Sequence, residues 1–579
     1  MRPAAALPLI LLAAVVQGWV LYGLHHAIDA GAWPATSPAL LFALYAVAVY
    51  VPLTIQVLAG EAVSRTVWLF LAAAAAAFFG FGLHEGGFVR GDEPGDPELG
   101  PLLFLLALIW LQLLPFVQGR LATGRWRPEY PRLFAAACRN VLVLGEAAVF
   151  TGLFWLLLFL WQALFALLGI SFFRELFREL VFIYPVTALT FGIALHLIGS
   201  LDRLTATVLD QALGVLKWLA VPGTFILAIF SLALIVKLPR LLATGDWAVG
   251  AEVLLWLVAV VVLLLNAAYR DGSDPAPYPA WLGLAIRGAV PLAVLVSALA
   301  LYALFLRTGQ YGLTIERWWG FVVAATALLV SAGYARAAFR GGPWMQGLAP
   351  VNVVASLALM GVIALSLTPL LSPARLAAES QFERALTAPP AATNSGGRAS
   401  PIEWLRFQGG GYGRARLREL AALGEGPGAD GIRRAARAAL EAADPPALEA
   451  AAARAALATL PVFPRGRVLT PDLRAALEAS PPEPARPVTS PDGAAGTAGL
   501  YLDVDGDGQE EFLLLSAGNG VVYARQDDGW VVAGQVVADR EAGEPDGLLV
   551  DLAAGAVVED RRWKDIRLGG RRLTVVVEE

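Results

Sequence analysis

The residues best equipped for chemistry lie together in one short stretch, Asp503-Val504-Asp505-Gly506-Asp507-Gly508-Gln509-Glu510-Glu511. Counted from Asp503, acidic side chains stand at positions 1, 3, 5 and 9, with glycine at position 6. A hard cation such as calcium takes six to eight oxygens at about 2.3–2.6 Å. Alternate aspartates in a tight turn bring Asp503, Asp505 and Asp507 to one side, Gly508 permits the bend, the Gln509 carbonyl supplies a further oxygen, and Glu511 closes the far side. Four carboxylates at close range repel one another, so a bound calcium would lock a turn that is otherwise loose. The competing reading is a solvated acidic turn that binds nothing. Neither reading contains a nucleophile or an acid/base pair, and no residue is assigned a catalytic role. An EF-hand is excluded, because its position 12 glutamate is replaced by Leu514 and the flanks alternate as strands.

Other polar residues lie within or beside apolar runs. His25, His26 and Asp29 fall at the end of the first run, and His84 and Glu85 at the end of the third. Imidazole with carboxylate is a transition-metal donor set, and His25 and Asp29 are one helical turn apart. Interfacial polar residues at helix ends explain them equally simply. Glu146 is the acid best placed to sit inside a run, and an intramembrane carboxylate is a functional candidate by default. His196, followed by Asp202, Arg203, Asp210 and Lys217, opens a polar stretch that reads as a surface connector or as the lining of a path.

The elements that must carry these residues follow from hydropathy. The chain has 579 residues, 57% of them hydrophobic, and a mean hydropathy of +0.62, above the apolar share of soluble domains. Runs of bilayer-spanning length recur near 4–24, 37–59, 66–84, 101–119, 141–166, 180–199, 219–236, 247–268, 288–306, 318–338 and 350–371. The fold class is therefore an all-α polytopic membrane domain of about eleven spans over 1–371, followed by a small α+β extramembrane tail. Phe134–Ile170 is longer than one crossing needs and reads as one tilted helix or as two segments. Residues 372–480 form a linker and short helices, three of them between Tyr412 and Leu460. Residues 481–579 are β-rich, with strands expected at 512–516, 521–525, 530–537, 548–552 and 573–577. The formal charge of -5 excludes a nucleic-acid partner, which needs an excess of Lys and Arg. The single cysteine, Cys138, permits no internal disulfide.

Cytoplasmic loops carry the excess of Lys and Arg. With the N-terminus inside, thirteen basic residues fall on inner segments against seven on outer ones. Most of the bias comes from Arg120 to Arg139. An odd number of spans then places the tail outside.

Two resemblances attach to these residues. The Asp-x-Asp-x-Asp-Gly turn resembles the calcium loop of FG-GAP and related propeller-type repeats, with Glu511 in place of the usual ninth-position aspartate and only one copy present. Arg307-Thr-Gly-Gln-Tyr311-Gly312-Leu-Thr314-Ile-Glu-Arg317-Trp318, together with Trp404-Leu405-Arg406-Phe407 and Tyr412-Gly413-Arg414, resembles signatures of an uncharacterised family of bacterial multi-span inner-membrane proteins, the domain of unknown function numbered four-one-five-three. That likeness implies an inner-membrane location and brings no activity. The expected function is a non-enzymatic envelope or sensing protein that presents its tail to an envelope partner from the lipid bilayer. The alternatives are a secondary transporter or channel, and a membrane enzyme acting on lipid-linked substrates.

Overall fold

The computed structural model describes residues 6–61, 64–90, 98–126, 129–244, 250–272, 276–340, 344–387, 400–424, 428–458, 460–479, 497–516, 519–526, 529–538, 556–558, 566–568 and 571–576. The chain divides into two compact units, Met1–Ala377 and Ala378–Glu579.

The first unit is helical because a backbone in lipid must satisfy its own hydrogen bonds. Its helices are α1 (Ala6–Asp29), α2 (Pro38–Leu58), α3 (Arg65–His84), α4 (Gly100–Thr123), α5 (Tyr130–Leu167), the short α6 (Phe172–Leu176), α7 (Leu180–Gly199), α8 (Asp202–Thr244), α9 (Ala251–Tyr269), α10 (Ala280–Ala289), α11 (Leu292–Tyr311), α12 (Ile315–Phe339) and α13 (Leu348–Ser366). Among the described residues, eleven helical segments are long and apolar enough to cross a membrane, and the protein is a multi-pass membrane protein. The long run after Phe134 is a single helix, α5, of 38 residues, or about 57 Å at 1.5 Å per residue. The polar stretch after Asp202 is the first part of α8, continuous with the span that follows.

Prolines do not break these helices. α7 runs through Pro185 and α8 through Pro222 and Pro239. Beside Pro222 the Thr224 hydroxyl donates to the Ala220 carbonyl at 2.8 Å and to that of Val221 at 3.0 Å. Small residues set the closest approaches, as membrane packing favours. A Cβ on Gly82 would lie 2.4 Å from the Ala43 Cα, and one on Gly18 2.5 Å from the Pro185 Cα. Two cores result, one centred on Leu227, Leu254, Val296 and Tyr334, the other on Phe42, Leu106, Trp110 and Leu114.

The helix α14 (Pro373–Thr387) spans the boundary between the units. The second unit continues with α15 (Pro401–Phe407), α16 (Gly410–Ala421), α17 (Ala429–Glu441), α18 (Pro445–Ala458) and α19 (Pro471–Ala479). Ser400 opens α15 with a capping box, accepting from the Glu403 N–H while Glu403 accepts from its own. An eight-stranded sheet follows in the order β1-β2-β3-β4-β5-β8-β7-β6, built from β1 (Val462–Phe463), β2 (Thr497–Leu502), β3 (Glu511–Ser516), β4 (Asn519–Gln526), β5 (Gly529–Ala538), β6 (Ala556–Val558), β7 (Ile566–Leu568) and β8 (Arg571–Val576). The expected strand at 548–552 and residues 388–399 of the expected linker region lie outside the described residues.

Strand alternation sorts the tail's apolar residues onto two faces. Leu500, Leu513, Leu515 and Val522 build one core, while Tyr501, Phe512 and Tyr523 build the other with Leu473 and Leu477 of α19. Both faces of the central hairpin are therefore buried, and its turn is held from below.

Candidate metal centre

β2 and β3 are antiparallel, and their register ends on the pair Leu502–Glu511. The acidic turn is the loop between those two residues. Val504 is fully buried in the core of Leu500 and Leu513, so one apolar residue of the turn anchors it to the sheet. The Val504 N–H donates to Glu511 Oε2 at 2.7 Å, which fixes the carboxylate across the mouth of the hairpin. Gly506 and Gly508 have φ of 80° and 90°, the left-handed region that glycine enters without cost.

The aspartates organise the remaining backbone. Asp503 accepts from Gly506 N at 2.7 Å through Oδ1 and from Gly508 N at 3.1 Å through Oδ2. Asp505 accepts from Asp507 N at 3.0 Å, and Asp507 from Gln509 N at 2.7 Å. Ligand oxygens of Asp503, Asp505 and Glu511 lie within 4.8 Å of one another. Asp507 and Gln509 are exposed on the rim. Glu511 is only 4% exposed. Burial, with the charges of Asp505 and Asp507 added to it, pushes its carboxyl above the ordinary range. Beside the turn, Arg467 pairs with Glu510 and sits over the Tyr501 ring at 5.4 Å.

Among the described residues this is the one group of three or more His, Cys, Asp or Glu whose ligand atoms converge. The histidines of α1 and α3 have other partners. His25 Nδ1 meets the Tyr184 hydroxyl at 3.1 Å and its Nε2 lies 3.7 Å from Asp29, tying α1 to α7. His26 stacks on Tyr22. His84 is buried, packs on Phe88 and bonds the backbone of Leu367, and Glu85 begins the single turn that extends α3. Glu146 is half-buried on α5, and His196 of α7 has its Nδ1 enclosed without a hydrogen-bond partner.

A network not anticipated from the sequence joins four helices. Asn266 of α9 donates to the Tyr334 hydroxyl at 2.7 Å, and Tyr334 of α12 donates to Asn352 Oδ1 at 2.6 Å. Asn352 of α13 donates to the Tyr130 hydroxyl of α5 at 2.8 Å and to Asn266 Oδ1 at 2.6 Å. Gln118 and Asn140 exchange a reciprocal pair at 3.0 and 2.9 Å. The signal available in the sequence was an asparagine inside two of the apolar runs, Asn266 and Asn352. Its partners were not legible, since Tyr130 and Asn352 are 222 residues apart.

Comparison with protein-family models, with curated proteins and with solved structures finds no match to this chain. The resemblances given above rest on their quoted residues alone.

Proposed function

We propose that this membrane protein is a non-enzymatic envelope or sensing component of the bacterial inner membrane, with its N-terminus cytoplasmic and an extracytoplasmic tail stabilised by calcium. The observation that carries the reading is the convergence of Asp503, Asp505 and Glu511 at the mouth of the β2–β3 hairpin. Oxygen-only donors, two glycines in the left-handed region and a buried carboxylate are what a hard divalent cation needs. The ion's role is structural. It neutralises carboxylates that otherwise repel, so the hairpin that would face an envelope partner gains order on binding.

Calcium titration of the full-length protein in detergent, followed by calorimetry, tests the site. Binding in the range of extracellular modules, about 10⁻⁴–10⁻³ M, is expected for the native chain and is lost in D503N/E511Q. Equal heats from the two proteins would remove calcium from the reading. Orientation is tested separately, by a reporter fused after Glu579. A periplasmic signal agrees with the charge bias of the loops, and a cytoplasmic one reverses the proposed topology.

A further inference from the structure

The second half of α5 leans on the rest of the bundle along one side only. Its last residue buried within the chain is Thr151, and none from Gly152 to Leu167 is buried. On the supported side Trp155 donates to Thr187 of α7 at 3.0 Å, and Phe165 packs edge-on against Phe173 of α6 at 4.7 Å. On the other side Phe150, Leu153, Leu157, Leu160, Leu164 and Leu167 are all exposed. Their spacing alternates three and four, that of the a and d positions of a heptad, so they form one stripe along the helix. Glu146, one turn below Phe150, ends it.

An apolar stripe inside a bilayer needs no protein to cover it. The Leu167 end of this one, however, passes the level at which the neighbouring helices turn polar. Thr187 stands opposite Trp155 and α7 begins at Leu180, so α7 starts level with roughly residue 162 of α5, both helices rising 1.5 Å per residue. Exposed Arg178 and Glu179 precede it, and α1, which packs on Pro185 through Gly18, ends at that level in His25, His26 and Asp29. Leu164, Leu167 and Leu168 lie past it, Leu167 by about 8 Å, and the last two are 84% and 74% exposed. The headgroup layer is roughly 5–7 Å deep on each side, so lipid tails cover Phe150 to Leu160 and leave Leu164 to Leu168 bare. The other long helix shows the contrast. The 43 residues of α8 also exceed one crossing, but its surplus carries Asp210, Gln211 and Lys217, which water can cover.

We propose that this stripe is the contact between two copies of the chain. A soluble partner would reach only Leu164 and Leu167, and lipid tails only the four residues below them, whereas a membrane helix with the same overshoot covers all six. The α5 of a second copy has that overshoot by identity. Copies inserted in one orientation are related by a twofold axis along the bilayer normal, which sets the two α5 helices side by side and parallel, the arrangement in which a and d residues interdigitate. The contact is independent of the calcium turn and of which way the protein faces.

Cysteine cross-linking of the full-length protein in native membranes tests the inference, in a C138S background that removes the single native thiol. With copper phenanthroline as oxidant, L160C and L164C form disulfide-linked dimers. L232C, comparably exposed on α8, and Q162C, on the supported side of α5, do not. Native mass spectrometry without oxidant reads the same state: wild type is dimeric, and L164E/L167E, whose charges lie past the lipid tails, is monomeric. The cysteine variants at exposed positions carry the test if L164E/L167E does not insert. Equal cross-linking of L160C, L164C and L232C is random collision and overturns the contact. A dimer that L164E/L167E preserves and that L160C and L164C do not link overturns this face. A monomeric wild type overturns the proposal outright, and quenching of a fluorophore on L167C by spin-labelled lipid would then assign the tip of α5 to the membrane surface.

Discussion

The membrane unit and the tail meet the same problem, a polar group withdrawn from water, in opposite ways. Between the helices the solution is neutral and closed: Gln118 and Asn140 satisfy each other, and Asn266, Tyr334 and Asn352 close a ring of donors and acceptors from which Asn352 also reaches Tyr130. No net charge is enclosed by either set. In the acidic turn the solution is charged and open. Backbone N–H groups take up some of the carboxylate oxygens, yet each such bond leaves the negative charge in place. A low-dielectric interior penalises an unpaired charge far more than an unpaired amide. These two amide sets therefore complete themselves with their own side chains, whereas the proposed cation would complete the turn.

That contrast is broken most severely at Asn352. N352L removes three hydrogen bonds at once and strands Tyr130 and Asn266, at a cost of about 3 kcal/mol. Unfolding of the purified protein in mixed micelles measures it. Y334F keeps the ring packing and removes only the hydroxyl, so it should cost less. A difference under ~0.5 kcal/mol for N352L would mean that the ring is incidental to packing. Calcium removal comes next in size. At a concentration one hundred times its dissociation constant, a ligand stabilises the state that binds it by about 2.7 kcal/mol. Chelation should therefore raise hydrogen exchange across residues 497–516 and leave α9, α12 and α13 unchanged. Exchange that rises in both units would erase the distinction drawn between them.

The reciprocal amide pair allows a finer test. Q118L leaves Asn140, itself 5% exposed, without its partner and should cost about 1–2 kcal/mol, while Q118L/N140L should recover most of the loss. A deficit in the double variant that equals the sum of the singles would show that the two amides do not act as a pair.

How much of this was legible in the sequence depended on distance along the chain. The spans follow from local apolar length, and the acidic turn from ligands within nine consecutive residues, so both could be read directly. The Phe134–Ile170 run was ambiguous because length alone does not specify a break. It forms one helix, with Pro131 confined to its first turn and no proline inside. Pro222 lies inside α8 and does not end it. Asp503, Asp505 and Asp507 read alike in sequence, but the sheet sets them apart: Val504 is drawn into the core, Asp503 and Asp505 follow it inward, and Asp507 is left on the rim. The ring around Asn352 depends on which helices are neighbours, and no local pattern encodes that.

The smallest effect follows from Glu511, whose carboxyl is raised by burial and by the neighbouring aspartates. A raised folded-state value means that the native turn binds its proton more tightly than the unfolded chain does. Without calcium, this contribution to stability is fully present below the unfolded value, about 4.3 for glutamate, and is lost as pH rises through the folded one. Protection of residues 500–515 from hydrogen exchange, corrected for the intrinsic pH dependence of exchange, should therefore decline over that interval in chelated protein. E511Q has no proton to lose and should not follow the decline. Saturating calcium favours the ionised carboxylate and should abolish or reverse the slope. A decline of equal size in E511Q would assign the effect to other carboxylates, and a decline that persists with calcium would mean that the ion does not reach Glu511. The comparison would then rest on the membrane unit alone, with the tail's acidic turn reduced to a solvated loop held by Val504.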